Sequence, residues 1–389
     1  MNHRLQQLRL ARGLSLEDLS AAIGGLVTKQ ALSKYEKGQA RPSPPVLNRL
    51  ATVLGTNAIH LWSKPAVSVE FLGYRKRATM GAKERATVEA LVCQQIEVRH
   101  RLQELTTTAA AFALEVHSLP VSNLEDAEEA ALKLRDTWNL GLDPIANLTD
   151  VLEDRLVHVI EVEAPERFDG ISGLAREESG NPIAAAVISR KGLPGDRQRL
   201  NLAHELAHLV LKPKPGSDEE ALAFRFAGAF LAPGECLKRE VGAHRTALRV
   251  DELLLLKARY GISMQAILRR LRDLEIISQT FYTECCIEIS RRGWRKVEPN
   301  PIPAERSTWL RKATLRCLAE GLVTHEKAEG LLGEQVEAGP QATLLKRRAF
   351  LKLPLEDRRR MLEQQAGQMA AYYEQDQSWK DIQGGDIHE

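Results

Sequence analysis

The chain has 389 residues, of which 43% are hydrophobic and 27% charged, with a formal net charge of +2. This length predicts about two to three domains with a sizeable core, and no apolar run reaches the ~18 residues of a membrane-spanning helix. The five cysteines form no CxxC pair, which argues against a disulfide scaffold or a cysteine zinc site and favours the reducing cytoplasm. Because the chain begins with a polar amphipathic helix, we expect no signal peptide.

The small net charge of the whole chain conceals two regions of opposite charge. Residues 1–62 carry eight Lys/Arg against three Asp/Glu, whereas residues 115–178 carry five against sixteen. A basic N-terminal region suits contact with the phosphates of nucleic acid.

Short helices are predicted throughout residues 4–62, where apolar residues recur at helical spacing. Ser15, with Asp18 three positions later, resembles a capping box at the start of the second helix. Gly38 ends the third helix, and Pro42 prevents its continuation.

This segment resembles the XRE-type helix-turn-helix, most specifically in the run Ser33–Gly38 followed by Pro42. The resemblance implies that the second helix of the pair enters the major groove of operator DNA. The residues it places against DNA are Thr28, Lys29, Gln30, Ser33, Lys34 and Arg41. Gln and Lys can read base edges, whereas Ser and Thr reach bases or phosphate. The residues predicted to form the core are Leu19, Ile23, Leu32 and Tyr35.

Residues 65–81 contain Pro, Gly and a basic run, and they are predicted to be a linker. Helical spacing of apolar residues then predicts a long helix over 82–118 and a second over 124–139. Strands are predicted at 155–162 and 183–190, with a short one at 171–175.

A small sheet of this kind has an edge strand that could bind an extended peptide by strand addition. His158 lies within the first predicted strand. We interpret it as a packed strand residue and not as a metal ligand.

The run His204-Glu205-Leu206-Ala207-His208 lies within a mostly apolar helical stretch. Two histidines four residues apart share one helical face, so both can bind one Zn²⁺ ion. Glu205 can then hold and deprotonate the attacking water. A surface helix with unrelated histidines is the alternative, but the apolar flanks oppose it, because buried polar groups need partners. The run therefore predicts a zinc hydrolase.

Such a site needs a third protein ligand. A helix is predicted from Ser217 to Pro233, with Ser217 or Asp218 as its N-cap. Glu219 and Glu220 suit the first turn of that helix electrostatically, and either could turn inward as the ligand.

Residues 168–233 resemble the ImmA/IrrE family of zinc-dependent metallo-endopeptidases, in which a glutamate and a helix ending in proline follow HExxH. The resemblance implies a gluzincin-like site and selects Glu220 as the ligand, thirteen positions before Pro233. Two residues depart from the pattern, since Leu222 and Phe224 occupy positions that are usually polar.

Beyond Pro233, the sequence predicts a helix–Gly–helix at 251–272 and a helix pair over 305–333. The ImmA/IrrE resemblance implies that 251–272 packs beside the peptidase domain. The arginines near its end leave DNA contact as the alternative. Cys285-Cys286 is interpreted as part of a buried strand.

The tail, residues 339–389, is predicted to form an amphipathic helix and a flexible end. It loosely resembles the C-terminal part of small bacterial antitoxins, which implies a toxin partner. The alternative is a charged, solvated helix with a frayed terminus.

The fold class that follows is mainly α with a small β-sheet (α+β). The domains are predicted at 1–64 (helix-turn-helix), 65–81 (linker), 82–245 (zincin-like peptidase), 246–338 (helical region on the peptidase) and 339–389 (tail).

Two classes of function are compatible with these features. In the first, a DNA-binding regulator carries a zinc endopeptidase that cleaves a repressor or antitoxin-type regulator in a stress, mobile-element or toxin–antitoxin circuit. In the second, the protein is a non-proteolytic regulator or antitoxin whose zinc domain senses a signal or binds a partner. Either class predicts double-stranded operator DNA as a partner, no membrane contact, and a homodimer that matches a palindromic operator.

Overall fold

The structure, a computed structural model, describes residues 2–63, 65–72, 81–106, 112–166, 168, 170–337, 350–351, 353–360 and 362–363. Helices dominate these residues and strands form a small sheet, which confirms the α+β prediction. The chain divides into two compact units, residues 1–313 and 314–389. None of the described helices combines the length and apolar character needed to cross a membrane. Most of the tail lies outside the described residues, so the interpretation of 339–389 stays a prediction.

The N-terminal module consists of five helices. They are α1 (Asn2–Ala11), α2 (Leu16–Ala22), α3 (Lys29–Glu36), α4 (Pro44–Val53) and α5 (Ala58–Trp62). The predicted capping box is present, because the Asp18 N–H donates to Ser15 Oγ at 3.0 Å and the Ser15 N–H donates to the Asp18 carboxylate at 2.8 Å. The four predicted core residues are all buried.

A buried ion pair fixes α1 against α3 in this module. Arg9 donates to both carboxylate oxygens of Glu36, at 2.6 and 2.9 Å, and to the carbonyl of Leu14. The two-pronged geometry fixes orientation as well as distance, so it sets the angle at which α3 is presented.

The sheet of the central region has four strands, and a separate pair forms a second small sheet. The strands are β1 (Ser68–Leu72), β2 (Leu119–Val121), β3 (Val157–Val162), β4 (Gly170–Arg176), β5 (Pro182–Arg190) and β6 (Leu211–Pro213). The larger sheet has the order β1-β4-β5-β3, in which β3 and β5 are parallel and β4 is antiparallel to both neighbours. The three predicted strands are confirmed.

Part of the predicted linker at 65–81 is a strand. β1 pairs antiparallel with β4, and its Val69 and Phe71 pack against the apolar layer between the sheet and the next helix. Residues 73–80 lie outside the described part of the chain. The strand was missed because two inward-facing apolar residues are a weak alternation signal beside Pro65 and a basic run.

The helices of the central and C-terminal regions follow in chain order. They are α6 (Ala82–Leu105), α7 (Leu124–Thr137), α8 (Leu148–Glu153), α9 (Gly195–Val210), α10 (Glu219–Leu231), α11 (Gly234–Val241), α12 (Val250–Tyr260), α13 (Met264–Asp273), α14 (Gln279–Arg291), α15 (Trp309–Ala319) and α16 (His325–Leu332). The predicted helix over 82–118 ends at Leu105. The strand predicted at Cys285-Cys286 is wrong, since both residues lie on α14.

Alternation along the strands gives the sheet two apolar faces. On one face, residues such as Ile160 and Ile188 pack against Val92 and Ile96 of α6. On the other face, Val159 and Val187 join the main core with α9, α10 and α12–α13. The helix that carries the two histidines is therefore held between the sheet and α10.

The N-terminal module rests on the central region through α1 and α6. Arg4, which is buried, forms an ion pair with Glu97 of α6. Burial alone would disfavour the charged Glu97 carboxylate, but the hydrogen bonds and charge of Arg4 outweigh it and lower the pKa of Glu97. This contact uses α1 and leaves Lys29 and Gln30 of α3 exposed.

Residues 298–309, referred to below as the 298–309 segment, cross the start of α9. Glu298 accepts from Lys257 Nζ (2.9 Å) and from the N–H of Met264 at the start of α13 (2.8 Å). Glu305 accepts from the Thr149 N–H at the start of α8 (2.7 Å) and pairs with Arg199 of α9. The segment thus ties four helices, α8, α9, α12 and α13, together through buried charges.

The close approach of this segment to α9 requires glycine at position 195. The Gly195 N–H donates to the Ile302 carbonyl at 2.9 Å, and a Cβ there would lie 2.1 Å from the Pro303 carbonyl oxygen. We expect Gly195→Ala to lower the free energy of unfolding by about 1–3 kcal/mol through overpacking, measured by urea unfolding. Gly330→Ala is the control, since that helical glycine has open space around it. Equal free energies of unfolding for the two variants would contradict the requirement for glycine at position 195.

Candidate metal centre

The histidines of the HExxH run lie on α9 with the orientation that their spacing predicts. His204 and Glu205 are buried, with exposed fractions of 2% and 4%, and His208 is half-buried. Leu202 and Leu206 on the same helix are fully buried in the main core. The apolar residues thus anchor α9, while the two histidines turn toward the first turn of α10.

Glu220 completes a cluster of three side chains that could hold a metal ion. The His204 Nε2 lies 3.2 Å from the His208 Nε2 and 3.3 Å from one Glu220 carboxylate oxygen. The His208 Nε2 lies 3.7 Å from the other oxygen. Zinc–ligand distances of about 2.0–2.1 Å in a tetrahedron place the donors about 3.3 Å apart. The donor types and spacings therefore fit Zn²⁺.

The geometry distinguishes the two neighbouring glutamates. Asp218 caps α10, because its carboxylate accepts from the Ala221 N–H at 3.3 Å. The cap sets the residue at which α10 begins and therefore the direction in which each side chain of its first turn points. Glu220 faces the histidines, whereas Glu219 is exposed and lies outside the cluster.

Phe224 supports one histidine of the cluster. Its ring centroid lies 4.2 Å from that of His204. The Nδ1 of His204 is buried and has no acceptor among the described residues. Metal-binding histidines usually donate their second N–H to an oxygen, so packing against Phe224 takes over part of that orienting role.

Gly170, at the start of β4, lies against Glu205. A Cβ at this position would come within 3.0 Å of the Glu205 Cγ, of its Oε1 and of the Ile188 carbonyl oxygen. A side chain there would displace Glu205, so glycine lets β4 approach α9 closely. The sequence gives no signal for this contact, because Gly170 and Glu205 are far apart along the chain.

The strand beside Glu205 is paired on both sides along most of its length. β5 lies on one side of β4, and β1 pairs with residues 172–176 on the other. The edge strands of the described sheet are β1 and β3. Residues 172–176 of β4 therefore cannot accept a further strand, and the predicted addition of a peptide at an edge of the sheet stays a prediction.

His158 lies apart from the cluster, on the face of the sheet that packs on α6. It is fully buried, and its ring contacts Trp309 edge-on at 4.6 Å. Burial and the nearby Arg99 charge hold the pKa of His158 well below its ordinary value. It is therefore a neutral packing residue, as its strand position indicates.

The predicted DNA-facing residues lie along α3 and just after it. Those that are exposed are Thr28, Lys29, Gln30, Lys34 and Arg41, and Ser33 is half-buried. Thr28 also caps α3, because its hydroxyl accepts from the Ala31 N–H at 3.3 Å. Lys29 lies 3.2 Å from a Glu17 carboxylate oxygen, an exposed pair that phosphate could replace.

The helix pair α12–α13 has a structural role, as preferred from the sequence. Its Arg270 is buried, pairs with Glu128 of α7 and donates to the Ala232 carbonyl. Arg225 of α10 pairs with the same Glu128 carboxylate at 2.7 Å. Arg270 therefore holds helices together and is inaccessible to DNA.

Comparison with known protein families supports both the N-terminal DNA-binding module and the region that contains the cluster. Residues 5–61 match the helix-turn-helix family, and residues 186–272 match the IrrE N-terminal-like domain of the M78 peptidases. No curated protein matches the chain. The chain therefore joins an XRE-type helix-turn-helix to an IrrE-like peptidase domain, and the second match includes His204, His208 and Glu220.

Removing the third donor tests the ligand set. We expect Glu220→Ala to lose most bound zinc, because two imidazoles alone leave the ion without its anionic ligand. Zinc content after dialysis, measured by mass spectrometry, is the readout. Glu219→Ala changes the adjacent, exposed carboxylate and should keep full stoichiometry. The reverse result would assign the ligand to Glu219.

Proposed function

We propose that this protein is a DNA-binding transcriptional regulator that carries a zinc-dependent endopeptidase. The cluster of His204, His208 and Glu220, with Glu205 buried beside it, carries the enzymatic part of the proposal. By resemblance to the ImmA/IrrE family, the substrate is a repressor or antitoxin-type regulator in a stress, mobile-element or toxin–antitoxin circuit. Operator DNA and such a substrate place its action in the cytoplasm.

The residues of the site divide the chemistry between them. Zn²⁺ held by His204, His208 and Glu220 would supply Lewis acidity to the scissile carbonyl and to water. Glu205 accepts the proton of the attacking water and passes it to the leaving amine. Gly170, which lies against Glu205, limits the positions that the carboxylate can take.

The DNA-binding module gives the peptidase its context. α3 is exposed while α1 is held on α6, so the module can contact an operator without leaving the peptidase region. Recognition would use Lys29 and Gln30 on base edges. Cleavage of a regulator close to its own operator would then switch the controlled genes.

Replacing the general base separates proteolysis from metal binding. We expect Glu205→Gln to keep zinc and to lower cleavage of a neighbouring-gene repressor by about 100-fold or more, because general-base catalysis contributes about 10²–10⁴-fold. Repressor cleavage in cells and zinc content are measured side by side, with Glu219→Gln as the control. If cleavage is unchanged while zinc is retained, the proposed peptidase function is refuted, and a zinc domain that senses a signal is favoured.

Substitutions on α3 test the DNA-binding role. We expect Lys29→Ala with Gln30→Ala to weaken operator-specific binding by at least about tenfold, since each good base contact contributes about 1–3 kcal/mol. Gel shifts with operator and scrambled duplexes give the readout. Asn48→Ala with Thr52→Ala, an exposed pair on α4, is the matched control. Equal shifts by both variants would refute recognition by α3.

A further inference from the structure

A cleft of about 810 Å³ opens beside the metal-binding cluster. Its walls come from the first half of α9, from α10 and α13, and from residues 294–298. Ala221, next to Glu220, and Leu200, one turn before His204, both line it. A chain bound in the cleft would therefore pass close to the reacting bond.

Phe224 connects the cleft to the cluster. One part of its ring packs on His204, while 44% of the residue is exposed and lines the cleft. An exposed phenyl ring at this point can take an apolar side chain of a bound peptide. This residue is one of the two departures from the pattern of the ImmA/IrrE family.

The cleft is rich in positive charge. Nine of its lining side chains are Arg or Lys, and four are Asp or Glu. Three of these acids are already engaged, since Asp196 and Glu298 both pair with the buried Lys257, and Asp273 pairs with Arg272. Two of the lining cations, Arg225 and Arg270, are likewise engaged, because both pair with Glu128 outside the cleft. The positive charge available to a ligand therefore comes from the lining cations that these pairs leave over.

Three of the lining cations have no ion-pair partner among the described residues. Arg295 and Lys296 are exposed, and Arg190, at the end of β5, has a buried Nε without a hydrogen-bond partner there. The surplus is local, because the nearby region 115–178 is strongly acidic. Guanidinium groups of this kind bind carboxylates through paired hydrogen bonds.

We infer that this cleft binds an acidic segment of the protein substrate, adjacent to the bond that is cleaved. The inference rests on the proposed peptidase function and names the class of peptide that the site selects. Arg190, Arg295 and Lys296 meet the carboxylates, and Phe224 takes an apolar side chain nearer to the cluster. The same charges steer an acidic segment toward the site and raise its rate of association.

Binding is tested without turnover in the zinc-loaded Glu205→Gln protein. Fluorescein-labelled Glu-rich, Lys-rich and Gly/Ser peptides are titrated and followed by anisotropy. We expect the Glu-rich peptide to bind best, with affinity that falls as salt is raised. Adding Arg295→Glu with Lys296→Glu should weaken it about tenfold, because two attractions become repulsions.

A matched double variant controls for net charge. Lys133→Glu with Lys238→Glu reverses two exposed cations that do not line the cleft, and it should bind the Glu-rich peptide as before. Equal weakening by both double variants, or equal binding of Glu-rich and Lys-rich peptides, would overturn the inference. A labelled single-stranded oligonucleotide that binds more tightly than the Glu-rich peptide and is lost in Arg295→Glu/Lys296→Glu would assign the cleft to nucleic acid instead.

Cleavage specificity separates this inference from the function on which it rests. A peptide library is digested with the protein carrying Glu205, and the cut bonds are read by mass spectrometry. We expect Asp and Glu to be enriched on one side of the bond, with enrichment lost in Arg295→Glu/Lys296→Glu. Cleavage without acidic preference would refute the cleft assignment but keep the peptidase. No cleavage, with selective Glu-rich binding intact, would refute the peptidase but keep the acidic-peptide site.

Discussion

The burial of two polar side chains on α9, His204 and Glu205, is the constraint that the surrounding structure satisfies. His204 and Glu205 are almost fully enclosed, although imidazole and carboxylate groups are costly to bury without partners. The chain meets this requirement by bringing Glu220 within 3.3 Å of His204. Two imidazole nitrogens and two carboxylate oxygens, from three residues, lie around one point. This set of donors suits a divalent metal. Without a metal or another partner, burying these groups together in an apolar core would be costly.

The supporting elements hold α9 from several sides. The sheet packs beneath it, Gly170 lets β4 approach Glu205, and the 298–309 segment crosses its start at Gly195. Buried charges such as Lys257 and Arg199 are each paired with acids of that segment. Because removing one partner of a buried pair leaves an uncompensated charge, these contacts fix α9 more firmly than apolar packing alone would.

The DNA-binding module is attached to this framework through α1, and not through α3, which carries the predicted DNA-facing residues. Arg4 and Glu97 join α1 to α6, and α6 in turn covers the face of the sheet opposite α9. The sheet therefore lies between the helix that carries the cluster and the helix that carries the module. Strand β1, which lies between the two regions in the chain, is part of the sheet, so the DNA-binding and IrrE-like regions are joined through that sheet.

The sequence by itself determined the features that depend on local spacing. The histidines four residues apart, the capping box at Ser15 and the three strands at 157–190 all follow from helical or alternating periodicity. Local propensity does not distinguish Glu219 from Glu220, and the sequence selected Glu220 only through the family resemblance. The tertiary structure supplies the physical reason, because Glu220 is the one that faces the histidines. The strand β1, the glycine at 170 and the basic cleft likewise depend on contacts between distant parts of the chain, which periodicity does not encode.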